Sequence, residues 1–313
     1  MMSLRYHIIS IAAVFLALAA GVVLGSTNVS QRLLAVVAGD RDGLTQQVEQ
    51  LGAQRDQLQA RQRAAKLFTE SVAPTVLKGQ LSQRKVVLVL APGASAADRD
   101  GVRQMLGDAG ATVTGELTLT DAALDPARAD QVRDLTTRLL PSGAQLPSAT
   151  DAGGLAGGLL GSVLLLGPHN GKPQAAPDQA SAALAGLTQA GFVRPGPAPA
   201  PAQLAVVLTG DQVGGADAAE RAATLARLAG ELDRAGSGAV LAGRSGSDGA
   251  TGAVGVVRAD ASAEAKLSTV DDVQDPLGQV ATVLALREQA SGQAGRYGSA
   301  GNAQGPIPGA SAG

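Results

Sequence analysis

The sequence contains no cysteine and no tryptophan, and it has only three phenylalanines, two tyrosines and two histidines among 313 residues. Without cysteine the chain has no disulfide, no thiolate metal site, no cysteine nucleophile and no lipid-bearing cysteine. Because aromatic residues make up only 2% of the chain, a folded core has to be built from Ala, Val and Leu. The formal net charge of −2 provides no basic surface for nucleic acid, so we expect no nucleic acid partner.

A long apolar segment lies near the N-terminus. Ile8–Gly25 has 18 residues without a charge, and a helix of that length spans about 27 Å. We interpret residues 1–27 as a membrane anchor or signal-anchor helix, with the rest of the chain outside the cytoplasm and the envelope membrane left open. A cleaved signal peptide is the alternative, because Ala17-Leu18-Ala19 resembles a cleavage site. The apolar run continues through Val22–Leu24, which favours the anchor.

A helical stalk is predicted over residues 28–73, ending near Pro74. One apolar row recurs every seven positions, at Val37, Leu44, Leu51 and Leu58. The companion row is polar in its middle. The pattern therefore leaves two interpretations open: a coiled coil between two copies of the chain, or a single amphipathic helix whose leucines pack on the domain or on the membrane surface.

An α/β domain is predicted over residues 84–290. Val86–Leu90 is a continuous apolar run, which is typical of a strand buried on both faces. Further strands are predicted at Ala111–Leu119, Ser162–Leu166, Leu204–Leu208, Ala239–Ala242, Val254–Val257 and Ser268–Val270.

Helices are predicted between these strands. Ser95 is a candidate N-cap for a helix ending near Asp108, and Asp275-Pro276 opens a last helix that runs to about Gln289. Two more helices are expected at about residues 179–190 and 216–235. This alternation predicts a mostly parallel, Rossmann-like sheet with helices on both faces.

Three segments are predicted to lie outside this framework. Gly154–Gly161 is interpreted as a flexible joint, and residues 195–202 as a Pro/Ala-rich boundary between two lobes. Residues 291–313 are mostly Gly, Ala, Ser, Gln and Pro, which predicts a disordered tail.

The chemistry of the loops is sparse. No GxGxxG motif opens a helix and no GxxxxGK[ST] motif is present, so we assign no catalytic residue and no cofactor and expect a protein that is not an enzyme. Weak candidates for a ligand loop are His169, Asp211, Asp271 and Asp272, which follow predicted strands. His169 is either a ligand or a solvated turn residue. The Asp271–Asp272 pair suits either cation binding or glycoside cleavage, or simply the turn that starts the last helix, which we favour.

Several segments resemble one known family. They are Ser3-Leu4-Arg5 with His7, AAVFLALAAGVVLGS at Ala12–Ser26, LPSGAQL at Leu140–Leu146, VLAGRSGS at Val240–Ser247, STVDD at Ser268–Asp272, TVLAL at Thr282–Leu286, and Arg296-Tyr297-Gly298. Together they resemble the mycobacterial copper transport protein family (MctB). The resemblance implies a cell-envelope protein of copper export and resistance that acts in the outer membrane as a pore. It assigns no catalytic or ligand residue.

The residues themselves do not predict direct copper binding. Copper(I) prefers thiolate or thioether ligands and copper(II) prefers imidazole, whereas this chain has three methionines and two distant histidines. A copper role then requires self-association through the stalk, partner proteins of the envelope or an indirect effect, with the lipid bilayer as the constant partner. The alternative is an envelope scaffold that does not handle copper.

Overall fold

The structure is a computed structural model that describes residues 4–144 and 151–310. The chain divides into two compact units, one up to Ala65 and one from Lys66 onward. The described helices are α1 (Leu4–Leu77), α2 (Ala96–Asp108), α3 (Asp121–Leu124), α4 (Ala129–Leu139), α5 (Ala152–Leu164), α6 (Pro177–Gln189), α7 (Ala218–Ala235), α8 (Ala253–Ala259), α9 (Ala261–Glu264) and α10 (Pro276–Gln289), with a 3₁₀ turn at Pro126–Arg128.

The second unit contains a six-stranded sheet. Its strands are β1 (Lys85–Leu90), β2 (Thr112–Thr118), β3 (Leu204–Leu208), β4 (Ala239–Ala242), β5 (Ser268–Val270) and β6 (Arg296–Tyr297). Their order is β2-β1-β3-β4-β5-β6, and each neighbouring pair is parallel. The chain winds first to one side of β1 and then to the other, so the topological switch point lies between β1 and β3. The predicted α/β class with a mostly parallel sheet is confirmed.

Helices cover both faces of this sheet, as predicted. Alternate residues of a strand point to opposite faces, and in β1 the side chains of Val87 and Val89 enter a core with α4 to α8. Val86, Leu88 and Leu90 enter a second core with α2, α10 and the last turns of α1. Both layers are built almost entirely from Ala, Val and Leu, as the scarcity of aromatic residues requires.

Ser162–Leu166 was predicted as a strand, but most of it belongs to helix α5. Only Leu165 and Leu166 are extended, and Leu165 forms a single bridge to Ala202. The preceding Gly154–Gly161 is not a flexible joint, because it is a buried part of the same helix. A Cβ atom on Gly157 would lie 2.7 Å from the carbonyl oxygen of Leu228, so glycine allows α5 to pack closely against α7.

Val254–Val257 was also predicted as a strand and lies in helix α8. A short apolar run has no period that separates a buried strand from a buried helix. Here Val254 and Val257 both enter the core, and a Cβ atom on Gly255 would lie 2.1 Å from the carbonyl oxygen of Gly249. Close packing of the helix on the preceding loop therefore decides the conformation.

The predictions for residues 195–202 and 291–310 are wrong. β1 and β3, which lie on either side of residues 195–202, are hydrogen-bonded neighbours in one sheet, so no lobe boundary separates them. Residues 296–297 form β6, and Tyr297 is only 3% exposed, so this segment completes the sheet rather than forming a disordered tail. The last three residues of the predicted tail, 311–313, lie outside the described part of the chain.

Helix α1 continues through Pro74, where the sequence predicted its end. The side chains of Ala73 and Leu77 are buried in the domain core, and this packing holds the turn around the proline. Gly79, at φ +79°, follows the helix. In the first unit the side chains of Leu44, Leu51 and Leu58 are about 60% exposed. The side chain of Val37 lies outside the described ones, and association through this row stays a prediction.

Candidate functional site

The carboxyl ends of the parallel strands bring several polar loops to one edge of the sheet, and main-chain hydrogen bonds join these loops. Arg244 N donates to Gly210 O (3.1 Å), linking the loops after β4 and β3. Gly243 N donates to Val270 O (2.8 Å), and Val273 N donates to Gly243 O (3.0 Å), linking the loops after β4 and β5. This is the edge at which open α/β sheets bind ligands.

Asp271, which follows β5, forms a buried ion pair with Arg258 of α8. Arg258 Nη1 lies 2.7 Å from Asp271 Oδ2, and both side chains are at most 2% exposed. The guanidinium also donates to Thr269 Oγ1 (3.0 Å), Tyr297 O (2.8 Å) and Asn302 Oδ1 (2.6 Å). Every partner is within the domain, so the arginine joins α8, β5 and the C-terminal segment.

The other carboxylate oxygen of Asp271 is also occupied. Oδ1 accepts from the main-chain N–H groups of Ser299 (2.9 Å) and Ala300 (3.1 Å). A Cβ atom on Gly298 would lie 2.4 Å from this oxygen, which explains the glycine at φ +126°. With both oxygens bound internally, Asp271 holds the C-terminal segment on the sheet and offers no free ligand atom.

Asp272 lies beside Asp271 in a different environment. It is 5% exposed, and its Oδ1 is buried without a hydrogen-bond partner. Burial, together with the charges of Asp271 and Asp275, raises the pKa of Asp272 to about 7, although Arg258 acts in the opposite direction. Its carbonyl oxygen accepts from Asp275 N (2.9 Å) in the turn before α10, in agreement with the interpretation of a helix-initiating turn. Asp275 takes the N-cap position without a side-chain cap bond, whereas Ser95 does cap α2.

A third buried carboxylate, that of Asp98 in the first turn of α2, has no counterpart among the residues singled out in the sequence. Its Oδ2 lies 3.2 Å from Arg244 Nε without an aligned hydrogen bond. Burial raises the pKa of Asp98, Arg244 lowers it, and Asp275 raises it. The available signal was its place three residues after the cap Ser95, but that position is usually solvent-exposed. Arg258 was missed because its apolar neighbours were interpreted as a strand.

Asp211 is at the same edge but is exposed. It lines a crevice of about 200 Å³ at the switch point, together with Thr209 and Arg221. A Cβ atom on Gly210 would lie 2.9 Å from Gly93 O, so the loops after β1 and β3 touch through their backbones. Arg221 is paired with Asp121, which leaves Asp211 as a solvated carboxylate at the mouth of the crevice.

His169 lies near the amino end of β3, on the side of the sheet opposite to the carboxyl ends of the strands. Its loop follows Leu166, whose N–H donates to Ala202 O (2.7 Å), and Ala202 precedes β3. Asp211 follows the other end of the same strand. His169 is exposed, and Asn170 Oδ1 accepts from Lys172 N (2.9 Å) in the same turn. The structure therefore places three of the four candidate residues at one edge and separates the histidine from them.

The side chains at this edge of the sheet that could bind a metal ion are carboxylates. Within residues 4–144 and 151–310, no three His, Cys, Asp or Glu side chains are grouped so that they could hold a metal ion. Met105, the methionine of the domain, is 5% exposed and packs in the α2/α10 core. The described residues therefore offer carboxylates to solvent but no cluster of the soft ligands that copper(I) prefers.

The first unit contains an apolar segment near the N-terminus. Tyr6–Gly25 of α1 is a 20-residue apolar segment whose most apolar 18 residues have a mean hydropathy of 2.7, and none of it is buried against protein. By length and composition this segment is able to cross a membrane.

Comparison with known proteins gives one consistent result. The family model described as copper transport outer membrane protein, MctB, matches residues 1–308. Proteins named copper transporter MctB from Mycobacterium bovis and Mycobacterium tuberculosis are each 37% identical over 303 residues, covering 95% of this chain and 96% of theirs. The protein of the same name from Mycobacterium leprae is 36% identical over 306 residues, with the same coverage.

Proposed function

The chain belongs to the MctB family of copper transport outer membrane proteins, and from this premise we propose that it is a membrane-anchored, non-enzymatic component of copper transport and copper resistance in a cell envelope. The observation that carries the proposal is the identity of 36–37% to proteins named copper transporters, over 95% of this chain. The family model matches residues 1–308, a range that includes the apolar segment, the rest of α1 and the α/β domain.

The proposed anchor is Tyr6–Gly25, retained as a single membrane-spanning helix with the domain outside the cytoplasm. Its support is a 20-residue segment that is long and apolar enough to cross a membrane. The test is protease treatment of intact and permeabilised cells, with tags at both ends of the chain. Digestion of the domain in cells whose cytoplasmic membrane is intact, with the N-terminal tag protected, is the expected result. A mature chain that begins after Ala19 would contradict it.

We infer that copper moves through an assembly rather than through a site in one domain. One spanning helix encloses no channel, and no group of three His, Cys, Asp or Glu side chains among the described residues could hold a metal ion. Asp271 is paired with Arg258, Asp272 is buried without a hydrogen-bond partner for its Oδ1, and Asp211 is solvated. The proposed assembly includes a second copy of the chain, joined along the exposed row of Leu44, Leu51 and Leu58.

The absence of cysteine makes this association directly measurable. Leu51→Cys introduces the single thiol on the leucine row, and Ala53→Cys introduces it on the opposite side of the same helix, since two residues turn a helix by about 200°. Mild oxidation of membranes should crosslink the Leu51 variant into a dimer and leave the Ala53 variant monomeric. Equal yields for both variants would contradict a leucine seam.

The function itself is tested by deleting the gene. We expect higher cell-associated copper and greater copper sensitivity, restored by the full chain but not by the chain without residues 6–25. The alternative, a scaffold that does not handle copper, is supported by the absence of a metal-holding cluster among the described residues of the domain. It requires unchanged copper content in the deletion strain, together with specific neighbours recovered by crosslinking.

A further inference from the structure

A cavity of about 400 Å³ lies at the β2 edge of the sheet, away from the loops at the carboxyl ends of β3, β4 and β5. β2 is an edge strand, and the chain returns beside it after α6. Arg194 N donates to Thr118 O (2.9 Å), and Ala200 N donates to Thr114 O (3.3 Å). These two bonds attach the returning chain to the strand at two points.

Between those points the returning chain cannot pair with β2. Pro195, Pro197 and Pro199 have no N–H group, so this stretch has few donors for a strand ladder. It arches away from the strand, and α6 closes the space from the side. At one foot of the arch, a Cβ atom on Gly115 would lie 2.9 Å from Pro199 Cα. The cavity is thus a consequence of the prolines that replace a seventh strand.

The main chain of β2 faces into the arch. On the side of β2 that faces away from β1, Thr118 O accepts from Arg194 N, and Thr120 N donates to Phe192 O. Since alternate residues of a strand direct their main-chain groups to opposite sides, Glu116 also directs its N–H and C=O outward, between the two feet of the arch. A ligand in the cavity therefore meets a main-chain donor.

The lining is mostly apolar, with polar side chains on α6 and the cation of Arg194 beside it. Leu117, Leu184 and Val193 contribute the buried lining. The charged residues of the lining are Glu116 and Arg194. Glu116 is already paired with Arg103 and Arg99, whereas Arg194 is exposed and has no ion pair within the described residues. Because Glu116 is already paired, a ligand in the cavity would meet the positive charge of Arg194.

We propose that this cavity binds a small carboxylate with an apolar body. The apolar lining receives the body, and Arg194 with the Glu116 N–H receives the carboxylate. The volume lies in the range of small-molecule sites, which is about 300–1,000 Å³. Both feet of the arch are closed by hydrogen bonds, so an extended peptide cannot run along β2, and a compact ligand is favoured.

The test uses the full chain in lipid nanodiscs, with benzoate as the charged probe and benzamide as its neutral counterpart. Binding is followed by ligand-observed NMR, with empty nanodiscs as the blank. We expect benzoate to bind more tightly than benzamide. Arg194→Gln should weaken benzoate binding about fivefold, as expected for a partly exposed ion pair, and leave benzamide binding unchanged.

Two further variants separate the site from general effects of charge or folding. Ala185→Phe, at an exposed position of α6 on the cavity wall, should weaken both probes by filling the space. Arg287→Gln removes the same charge from α10 on the other face of the sheet and should weaken neither. Equal affinity for both probes, benzoate binding insensitive to Arg194→Gln and Ala185→Phe, or no binding at all would overturn the proposal.

Discussion

Two apolar helices of this chain have opposite surroundings. Tyr6–Gly25 in α1 is exposed along its whole length, whereas α5, Ala152–Leu164, is buried along nearly all of its length. Both are rich in Ala and Leu and contain no Asp, Glu, Lys or Arg. Hydropathy alone therefore does not separate a helix that needs lipid from a helix that needs protein.

Length and the spacing of glycine account for the difference. The first helix has the roughly 20 apolar residues that a bilayer requires, and α5 has 13. In α5, Gly153, Gly157 and Gly161 form one face against α7, where added Cβ atoms would lie 2.3 to 2.7 Å from protein atoms. In the first helix, Gly21 and Gly25 have no protein atom within 4 Å of such a Cβ.

Removing residues 6–25 is the strongest way to break this comparison. Loss of the segment that anchors the chain should transfer the protein from the membrane pellet to the soluble fraction. No other described helix of 18 residues or more is apolar enough to span a bilayer. Carbonate extraction followed by immunoblotting measures the change. Leu51→Ala, which alters only the exposed row of α1, serves as the control and should stay in the membrane. A truncated chain that resists extraction would show that another part of the protein holds lipid.

The second prediction concerns the buried ion pair between Arg258 and Asp271. Arg258→Met removes the partner of Asp271 and leaves a buried carboxylate, so the free energy of unfolding should fall by about 3–5 kcal/mol. Urea unfolding of the purified chain measures it. As a control, Arg138→Met removes an exposed pair with Asp134 and should change stability by less than about 1 kcal/mol. Comparable losses for the two variants would mean that the Arg258 network contributes no more than a surface pair.

The third prediction uses two glycines in the packed pair of helices. Gly157→Ala places a methyl group against Leu228 and Glu231 and should destabilise the domain by about 1–3 kcal/mol. Gly230→Ala in α7 meets no protein atom within 4 Å and should stabilise it by about 0.5–1 kcal/mol. Thermal unfolding followed by circular dichroism distinguishes them. Changes of the same sign would contradict a close α5–α7 contact.

The last prediction is a pH dependence of stability that arises from Asp272. Its folded pKa of about 7 lies above the ordinary value of 3.8, so its contribution is fully present below about pH 4 and is lost as the pH rises through 7. Asp233, with a pKa raised to about 6 mainly by burial, adds a loss at slightly lower pH. Asp272→Asn should therefore be more stable than the parent chain at pH 8, by an amount on the order of 2 kcal/mol, and similar at pH 4. Unfolding midpoints measured from pH 4 to 8.5 test this. A parent chain whose stability rises over that range relative to the variant would contradict the buried, unpartnered carboxyl.

Elements with clear local signals were predictable from the sequence. β1, β3 and β4 are continuous apolar runs, α2 has its cap at Ser95, and α10 begins at Pro276 as predicted. The errors fall where local signals are ambiguous. SVLLL and VGVV suit a buried strand and a buried helix equally, and the C-terminal segment has a polar composition although Arg258 and Asp271 hold it on the sheet.

The candidate site was predictable only as a set of positions. Asp211 follows β3, and Asp271 and Asp272 follow β5, so the parallel strands bring these positions to one edge, whereas the loop of His169 follows α5 and lies elsewhere. The sequence did not indicate that both carboxylate oxygens of Asp271 are hydrogen-bonded whereas Asp272 Oδ1 has no partner. The partners of Asp271 lie 13 to 29 residues away in the sequence, so no local pattern identifies them.

The sequence by itself determined that this chain has an apolar segment long enough for a bilayer, an α/β domain built without cysteine, and the motifs of its family. These are properties of composition and of short-range order, which neighbouring residues set. Only the tertiary structure decided which apolar helix is covered, which carboxylates are paired and where prolines open a cavity beside the sheet. Each of those depends on the approach of segments far apart in the chain, where a single Cβ atom or one guanidinium changes the outcome.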